Sequence, residues 1–153
     1  MANAFFNVPK PVNEPIKAYA PGSPERKSIK KTLQDLKSKT IDIPMVIGGK
    51  NVFTENKITI HPPHERKHLL GTYSKGTADH VKQAIDAAME AKPKWEALPW
   101  EEKAAIFLKA ADLLAGPYRD LLNGSTMLGQ SKNIMQAEID AACELIDFFK
   151  FNV

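Results

Sequence analysis

The chain has little of several features that define common protein classes. It has one cysteine in 153 residues, which excludes an internal disulfide framework. No segment approaches the run of about 18 apolar residues that a membrane-spanning helix needs. The net charge of +3 is too small on this length to indicate nucleic-acid binding. The N-terminus MANAFFNVPKPVNEP has the pattern of neither a secretory signal nor a transit peptide. We therefore expect a soluble, cytoplasmic protein that binds neither membrane nor nucleic acid.

The glycines do not form a phosphate-binding pattern. Gly48-Gly49 predicts a hairpin turn, and Gly71 with Gly76 lacks the strand-to-helix GxGxxG context of a dinucleotide site. The chain also offers no arrangement of serine, histidine and aspartate that is typical of a hydrolase. We expect no cofactor-binding residue and no catalytic residue within these 153 residues.

Three histidines lie in the run HPPHERKH, as His61, His64 and His68. Their spacing superficially offers metal ligands, but prolines and the cations Arg66 and Lys67 make a poor shell for a divalent ion. The run is more typical of a solvated loop between strands, and we expect no metal site here.

The first half of the chain predicts an extended arm, one helix and a small sheet. Four prolines make residues 1–22 an extended arm, and residues 23–153 form the remaining body. Ser23 predicts the N-cap of a helix over residues 23–39. Its basic run RKSIKK is more typical of a solvated helix face than of a nucleic-acid surface. Short alternating or β-branched runs then predict strands in a small antiparallel sheet, at residues 45–47, 52–53, 57–60 and 69–73.

The second half of the chain predicts four helices. Together with the helix over residues 23–39, this gives about five helices in an α/β fold. The first of the four begins after Thr77 and ends at Pro93, followed by a turn around Trp95. Further helices are predicted over residues 101–114, 117–128 and 131–153. The last, SKNIMQAEIDAACELIDFFKFNV, is apolar nearly all round, which is typical of a helix inside a larger body. Because the chain stops within this helix, we expect it to be a segment of something longer.

Four carboxylates and the single cysteine lie in this last helix. Asp140, Glu144 and Asp147 share a face, which predicts either a solvated seam or the wall of a site. Cys143 lacks the cationic or helix-terminal setting of a reactive thiolate, so we interpret it as a small buried apolar residue. Glu138 is expected to make only hydrogen bonds that anchor the helix.

Several segments resemble one family. DIPMVIGGK, the long run ADHVKQAIDAAMEAKPKWEALPWEEKAAIFLKAADLLAGPYR and QAEIDAACELIDFF stand in the order and spacing of the aldehyde dehydrogenase superfamily. The last of these resembles the branch that oxidises 1-pyrroline-5-carboxylate, or glutamate semialdehyde. The resemblance implies the outer part of an NAD-binding domain, which packs against the rest of its own chain. It also implies an enzyme of proline catabolism that uses NAD and forms a homo-oligomer. The nucleophilic cysteine of that family lies in a later domain, so the resemblance implies that this chain alone is inactive.

The resemblance also implies a role for Glu144. The glutamate of the ELIDFF element faces the aldehyde pocket in that family, and Glu144 stands at this place. Its carboxylate would suit the ammonium group of an amino-acid substrate, and Phe148, one turn on, would pack beside the aliphatic chain. From the residues alone, a structural ion pair of Glu144 with a cation elsewhere in a longer protein is the commoner reading.

Two functions of other classes are also compatible with the residues. One is a free-standing helical interaction module, in which the exposed face of the last helix binds in a groove of a partner protein. A weaker alternative is nucleic-acid binding by the basic helix over residues 23–39.

Overall fold

The computed structural model describes residues 5–153 and has the predicted α/β class. Its helices and strands follow each other in this order: α1 Pro24–Lys37, β1 Ile41–Ile43, β2 Met45–Ile47, β3 Lys50–Val52, β4 Lys57–Ile60, β5 Gly71–Ser74, α2 Ala78–Ala97, α3 Trp100–Ala115, α4 Arg119–Gln130, α5 Ile134–Ala137, a π-helical turn Glu138–Cys143, and α6 Glu144–Phe151. α5, the π-helical turn and α6 run on without a break and are called the last helix below. With the last helix taken as one, the expected number of about five helices is confirmed for the described residues.

The chain folds into two compact units. The first comprises Met1–Leu33, Pro99–Leu128 and Lys132–Val153, described from Phe5 onward, and the second comprises Gln34–Leu98 and Gly129–Ser131. The first unit therefore holds the arm, α3, most of α4 and the last helix. The second unit holds the strands and α2.

The strands of the second unit form two sheets, and one pairing differs from the expected antiparallel arrangement. β2 and β3 form the predicted antiparallel hairpin, with Gly48 and Gly49 in the left-handed region at φ 56° and 76°. In the other sheet the order is β1-β5-β4, in which β4 is antiparallel to β5 but β1 is parallel to it. The long connection from β1 to β5 permits a parallel pairing, and strand pattern alone does not choose a partner.

Gly71 makes the parallel pairing possible. It stands opposite Ile41 on β1 and opposite Ile60 on β4, in the central strand of the sheet. A Cβ atom at this position would lie 2.3 Å from the carbonyl oxygen of Ile41. Only a residue without a side chain therefore fits between the two neighbouring strands.

Pro93 does not end α2, and the expected turn around Trp95 is wrong. α2 runs from Ala78 to Ala97 with Pro93 inside it. A proline removes one backbone donor, but α2 has no buried residue, so water can satisfy the carbonyl group left without a partner. At its start, the backbone N–H of Thr77 donates to Nδ1 of His80 at 3.1 Å, which supports the predicted start of the helix.

The helices of the first unit lie close to their predicted ranges. The N–H of Arg26 donates to Oγ of Ser23 at 3.3 Å, so Ser23 caps α1 as predicted. α3 spans Trp100–Ala115 and is followed by Gly116, whose N–H donates to the carbonyl of Asp112 at 3.0 Å. α4 begins at Arg119, two residues after the predicted start.

The last helix starts later than predicted and is not α-helical throughout. Ser131 lies in the left-handed region at φ 57°, and the helix begins after Asn133, whose side chain accepts from the N–H of Gln136 at 3.0 Å. The N–H of Asn133 in turn donates to Oε1 of Gln136 at 3.0 Å, and the two bonds form a capping box. The π-helical turn interrupts the α-helical pattern from Glu138 to Cys143.

The core of the first unit lies between α3 and the last helix. Ala111, Ala142 and Ile146 are buried together, and the rings of Phe107 and Phe149 lie 5.8 Å apart beside them. Not all of the last helix is covered by the described chain, since Phe148 remains 62% exposed. Among residues 5–153, no helix is both long and apolar enough to cross a membrane.

Candidate functional site

The last helix and the arm line an open cavity of about 230 Å³ in the first unit. Its lining residues are Asn13, Glu144, Asp147, Phe148 and Phe151. Glu144 and Phe148 stand one turn apart on α6, as do Asp147 and Phe151, so successive turns of α6 present both pairs to the same side. The two residues that the sequence singled out, Glu144 and Phe148, therefore lie in one wall.

Asp147 holds the arm against this wall. Its Oδ2 accepts from the side-chain amide of Asn13 at 2.8 Å, and its Oδ1 accepts from the backbone N–H of Glu14 at 2.7 Å. Both oxygens of the carboxylate are thus engaged by the arm. Asp147 shapes the cavity by fixing its rim.

Glu144 is the lining carboxylate that remains open to a ligand. Within residues 5–153 its side chain has no ion-pair or hydrogen-bond partner. Asp140, which was predicted to share a face with Glu144, pairs with Lys132 at 2.7 Å and does not line the cavity.

A buried carboxylate, Glu138, begins the π-helical turn of the same last helix. Its side chain is fully buried and accepts hydrogen bonds from four other residues. Oε1 accepts from Nη2 of Arg119 at 2.5 Å and from the backbone N–H of Lys17 at 2.8 Å. Oε2 accepts from Tyr19 Oη at 2.9 Å and Asn123 Nδ2 at 2.7 Å, and from Arg119 Nε at 3.2 Å. These bonds match the anchoring role predicted for Glu138.

Arg119 joins the buried carboxylate to the arm. Its Nη1 donates to Oε1 of Glu14 at 2.5 Å, and its Nη2 donates to the carbonyl of Pro15 at 2.7 Å. Glu14 also accepts from Nζ of Lys150 on α6 at 2.7 Å. Lys150, Glu14, Arg119 and Glu138 thus form a row of alternating positive and negative charges. Such alternation gives each buried charge a partner of opposite sign.

The charges of this network shift its pKa values. Burial alone would raise the pKa of the Glu138 carboxyl, but the bonds from Arg119, Lys17, Tyr19 and Asn123 together hold it below its ordinary value of 4.5. Burial would also raise the pKa of the Glu14 carboxyl, but its bonds to Lys150 and Arg119 hold that pKa below 4.5. Burial and the bond to Glu138 raise the pKa of the Tyr19 hydroxyl. The network is therefore ionised near neutral pH, with Tyr19 as a neutral donor.

Cys143 lies beside this network and is unsuited to nucleophilic attack. It is 5% exposed, and Nη2 of Arg119 donates to its Sγ at 3.5 Å. Burial raises the pKa of its thiol, and the negative charge of Glu138 raises it further. A neutral, buried thiol agrees with the structural role that the sequence predicts.

Sequence reasoning missed Asn13, Tyr19, Arg119 and Asn123. Arg119 and Asn123 are one turn apart on α4 and both fully buried, so their spacing was a signal that two polar side chains share a face. Nothing in the arm's sequence indicates that Tyr19 and Asn13 reach the last helix, because more than 100 residues separate these partners.

The histidine run forms ordinary loop contacts in the second unit. Nδ1 of His61 lies 2.8 Å from the carbonyl oxygen of His68, and Nδ1 of His64 lies 2.8 Å from Oγ of Ser131. Over the described part of the chain, no three histidine, cysteine, aspartate or glutamate side chains gather where they could hold a metal ion.

The fold and its sequence belong to a known family. Residues 52–153, more than half of the chain, match the aldehyde dehydrogenase family. The chain belongs to that family.

Two curated relatives bear the same name. The chain is 47% identical over 151 residues to Delta-1-pyrroline-5-carboxylate dehydrogenase of Agaricus bisporus, and this match covers 98% of the chain and 28% of that protein. It is also 47% identical over 152 residues to the mitochondrial Delta-1-pyrroline-5-carboxylate dehydrogenase of Dictyostelium discoideum, of which it covers 27%. The chain thus spans little more than a quarter of the length of these relatives.

A solved structure confirms the fold. The crystal structure of Delta-pyrroline-5-carboxylate dehydrogenase from Mycobacterium tuberculosis bound with NAD matches 99% of this chain with a TM-score of 0.96 and 49% identity. The chain covers 28% of that protein. The predicted membership of this fold region is therefore confirmed over 99% of the chain.

Proposed function

We propose that this chain is the N-terminal segment of an NAD-dependent 1-pyrroline-5-carboxylate dehydrogenase, which oxidises glutamate semialdehyde to glutamate in proline breakdown. The similar relatives bear this enzyme's name, and the Mycobacterium tuberculosis protein binds NAD. NAD would accept the hydride in the whole enzyme. The described residues supply no glycine-rich site for it, so its binding residues belong to the rest of the protein.

In this proposal, the chain contributes one wall of the aldehyde pocket. The observation that carries the proposal is the carboxylate of Glu144, which stands without a partner in a cavity wall beside the exposed ring of Phe148. A substrate ammonium would complete the missing ion pair with Glu144. The ring of Phe148 would cover the aliphatic carbons, which favours a substrate with a short apolar chain between two polar ends.

The uncovered apolar surface fits a longer protein. Phe151 is 51% exposed, and burying the exposed half of its side chain would contribute about 1 kcal/mol. We propose that the rest of the same chain covers Phe151 and that the complete enzyme assembles as a homo-oligomer.

A pair of matched substrates tests the role of Glu144 in the full-length protein. We expect Glu144→Gln to lower kcat/KM for glutamate semialdehyde by about tenfold to a hundredfold, because a hydrogen bond to a charged group contributes about 1.5–3 kcal/mol. Glutarate semialdehyde is the same aldehyde without the amino group. Its kcat/KM should change by less than about twofold, since it offers no ammonium to the carboxylate.

The same assay separates the proposal from its alternatives. Equal losses for both aldehydes would show that Glu144 has a structural role only. No formation of NADH by the wild-type full-length protein would contradict the dehydrogenase itself and favour the interaction module. The isolated 153-residue chain should give no rate above a buffer blank.

A further inference from the structure

We infer that the arm is a positioning element for Glu144. Residues Glu14–Tyr19, tied to the buried pair of Arg119 and Glu138, hold the π-helical turn and so set the direction in which Glu144 faces the cavity. This inference rests on the proposed function, because it assigns a role to residues that act through the proposed substrate ligand.

The π-helical turn determines where Glu144 points. Glu144 is the first residue after the turn Glu138–Cys143. A turn that holds one extra residue rotates everything after it by about 100° relative to an uninterrupted α-helix. If the turn relaxed to α-helix, Glu144 and Phe148 would rotate together, away from Asn13 of the arm, which completes the lining of the cavity.

The first residue of that turn is the one that the arm holds. The arm supplies two of the donors to Glu138, the backbone N–H of Lys17 at 2.8 Å and the hydroxyl of Tyr19 at 2.9 Å. α4 supplies the others, through Arg119 and Asn123. Because Glu138 is fully buried, losing a donor leaves part of its charge without a partner and favours a rearrangement of the turn.

The arm is itself held in an unusual conformation. Tyr19 lies in the left-handed region at φ 50°, which is uncommon for an aromatic residue. Its side chain is only 3% exposed, and Nδ2 of Asn123 donates to its hydroxyl at 3.1 Å. Such a backbone conformation persists where the surroundings over-determine it, and this occurs most often beside functional sites.

The arm also grips the helix beyond Glu144. Asp147, three residues after Glu144, accepts hydrogen bonds from the side chain of Asn13 and from the N–H of Glu14. Glu138, six residues before Glu144, accepts from the N–H of Lys17. The segment that presents Glu144 is therefore fixed at both ends by one stretch of the arm. Packing of the apolar core alone would hold the helix in place without polar contacts from the arm on both sides of Glu144.

Two substitutions in the full-length enzyme test the inference. Tyr19→Phe removes one donor to Glu138 without changing the shape of the side chain, and Arg119→Lys keeps the charge but loses the two-pronged bond. We expect KM for glutamate semialdehyde to rise by about threefold to tenfold in Tyr19→Phe and more in Arg119→Lys, with KM for NAD within about twofold. Amide hydrogen exchange over residues 139–148 should become faster in both variants.

Asp140→Asn is the matched control. Asp140 lies in the same turn, but it pairs with Lys132 and is 45% exposed. This variant should keep both KM values and the exchange rates of the wild type.

The outcomes decide between positioning and general stability. A rise in KM for the aldehyde alone, with faster exchange over residues 139–148, supports the inference. Wild-type KM values in Tyr19→Phe and Arg119→Lys would overturn it, even if both variants unfold more easily. If the wild-type enzyme does not oxidise the aldehyde, the proposed function fails separately. Exchange then decides alone whether the arm holds the turn, and unchanged exchange would overturn the inference.

Discussion

The two units of this chain use ion pairs of similar length for different purposes. In the first unit, Arg119 and Glu138 lie 2.5 Å apart with 2% and 0% of their side chains exposed. In the second unit, Lys82 and Asp86 lie 2.8 Å apart with 76% and 63% exposed. Water screens the second pair, so it contributes little to stability, whereas each charge of the first pair depends on its partner. The distance between two charges therefore says less about their importance than burial does.

The apolar residues of the two units differ in the same way. In the first unit, Ala142 and Ile146 of the last helix are fully buried against α3. In the second unit, α2 repeats apolar residues at helical spacing, yet Val81, Ile85 and Met89 stay more than half exposed. Helical periodicity thus identifies an apolar face in both units, but it does not tell which face the described chain covers.

The sharpest test of this comparison is the removal of the buried cation. Arg119→Ala should lower the free energy of local unfolding in the first unit by about 3–5 kcal/mol, because it leaves Glu138 buried without its main partner. Amide hydrogen exchange along the 153-residue chain measures this, segment by segment. The amides of β4 and β5 serve as the internal control and should change by less than about 0.5 kcal/mol. A loss below about 1 kcal/mol in the last helix would mean that the buried pair is not essential there.

Gly71→Ala should produce the largest effect in the second unit. The new Cβ would lie 2.3 Å from the carbonyl oxygen of Ile41, so β1 must move away from β5 at a cost of about 1–3 kcal/mol. Exchange of the Ile41 amide, which donates to the carbonyl of Leu70 at 3.1 Å, should become faster.

Gly129→Ala is the matched control for this glycine. No atom lies within 4 Å of the Cβ that the substitution adds, and the residue lies in α4. Alanine should therefore stabilise the helix, by up to about 1 kcal/mol. If both substitutions had the same effect, the close approach at Gly71 would not be what limits the sheet.

Acid should weaken the first unit more than the second. The folded pKa of Glu138 is lower than its ordinary value of 4.5, and so is that of Glu14. The unfolded chain therefore binds more protons in this range. The stability from these groups is fully present above about pH 4.5 and is lost as the pH falls through their folded pKa values. Exchange measured between about pH 6 and pH 3, corrected for the intrinsic rate, should show this loss in the last helix, and Glu138→Gln should flatten it.

The smallest effect is expected at the exposed pair. Lys82→Ala should change the stability of α2 by no more than about 0.5 kcal/mol, since exposed pairs one turn apart contribute about this much. The urea midpoint of the 153-residue chain, compared with that of Arg119→Ala, measures the contrast. If Lys82→Ala lowered the stability as much as Arg119→Ala does, burial would not be what separates the two ion pairs.

Much of the candidate site could be predicted, because its wall lies on one helix. Glu144 and Phe148 are four residues apart, so helical periodicity alone places them together. The family resemblance then indicated which carboxylate to choose. The π-helical turn that contains Asp140 and ends just before Glu144 was not predicted, because the local sequence does not distinguish it from an α-helix. The arm's contacts with Asp147 and Glu138 could not be predicted, because they join residues far apart in the chain.

The sequence by itself determined the elements whose causes are local. Ser23 caps α1, and Gly48 and Gly49 form the turn of the hairpin. Only the tertiary structure decided the parallel pairing of β1 with β5, the passage of α2 through Pro93, and the burial of Glu138 among its donors. The physical reason is that propensity and capping act over a few residues. A strand's partner, or the desolvation of a charge, depends on which distant groups arrive beside it.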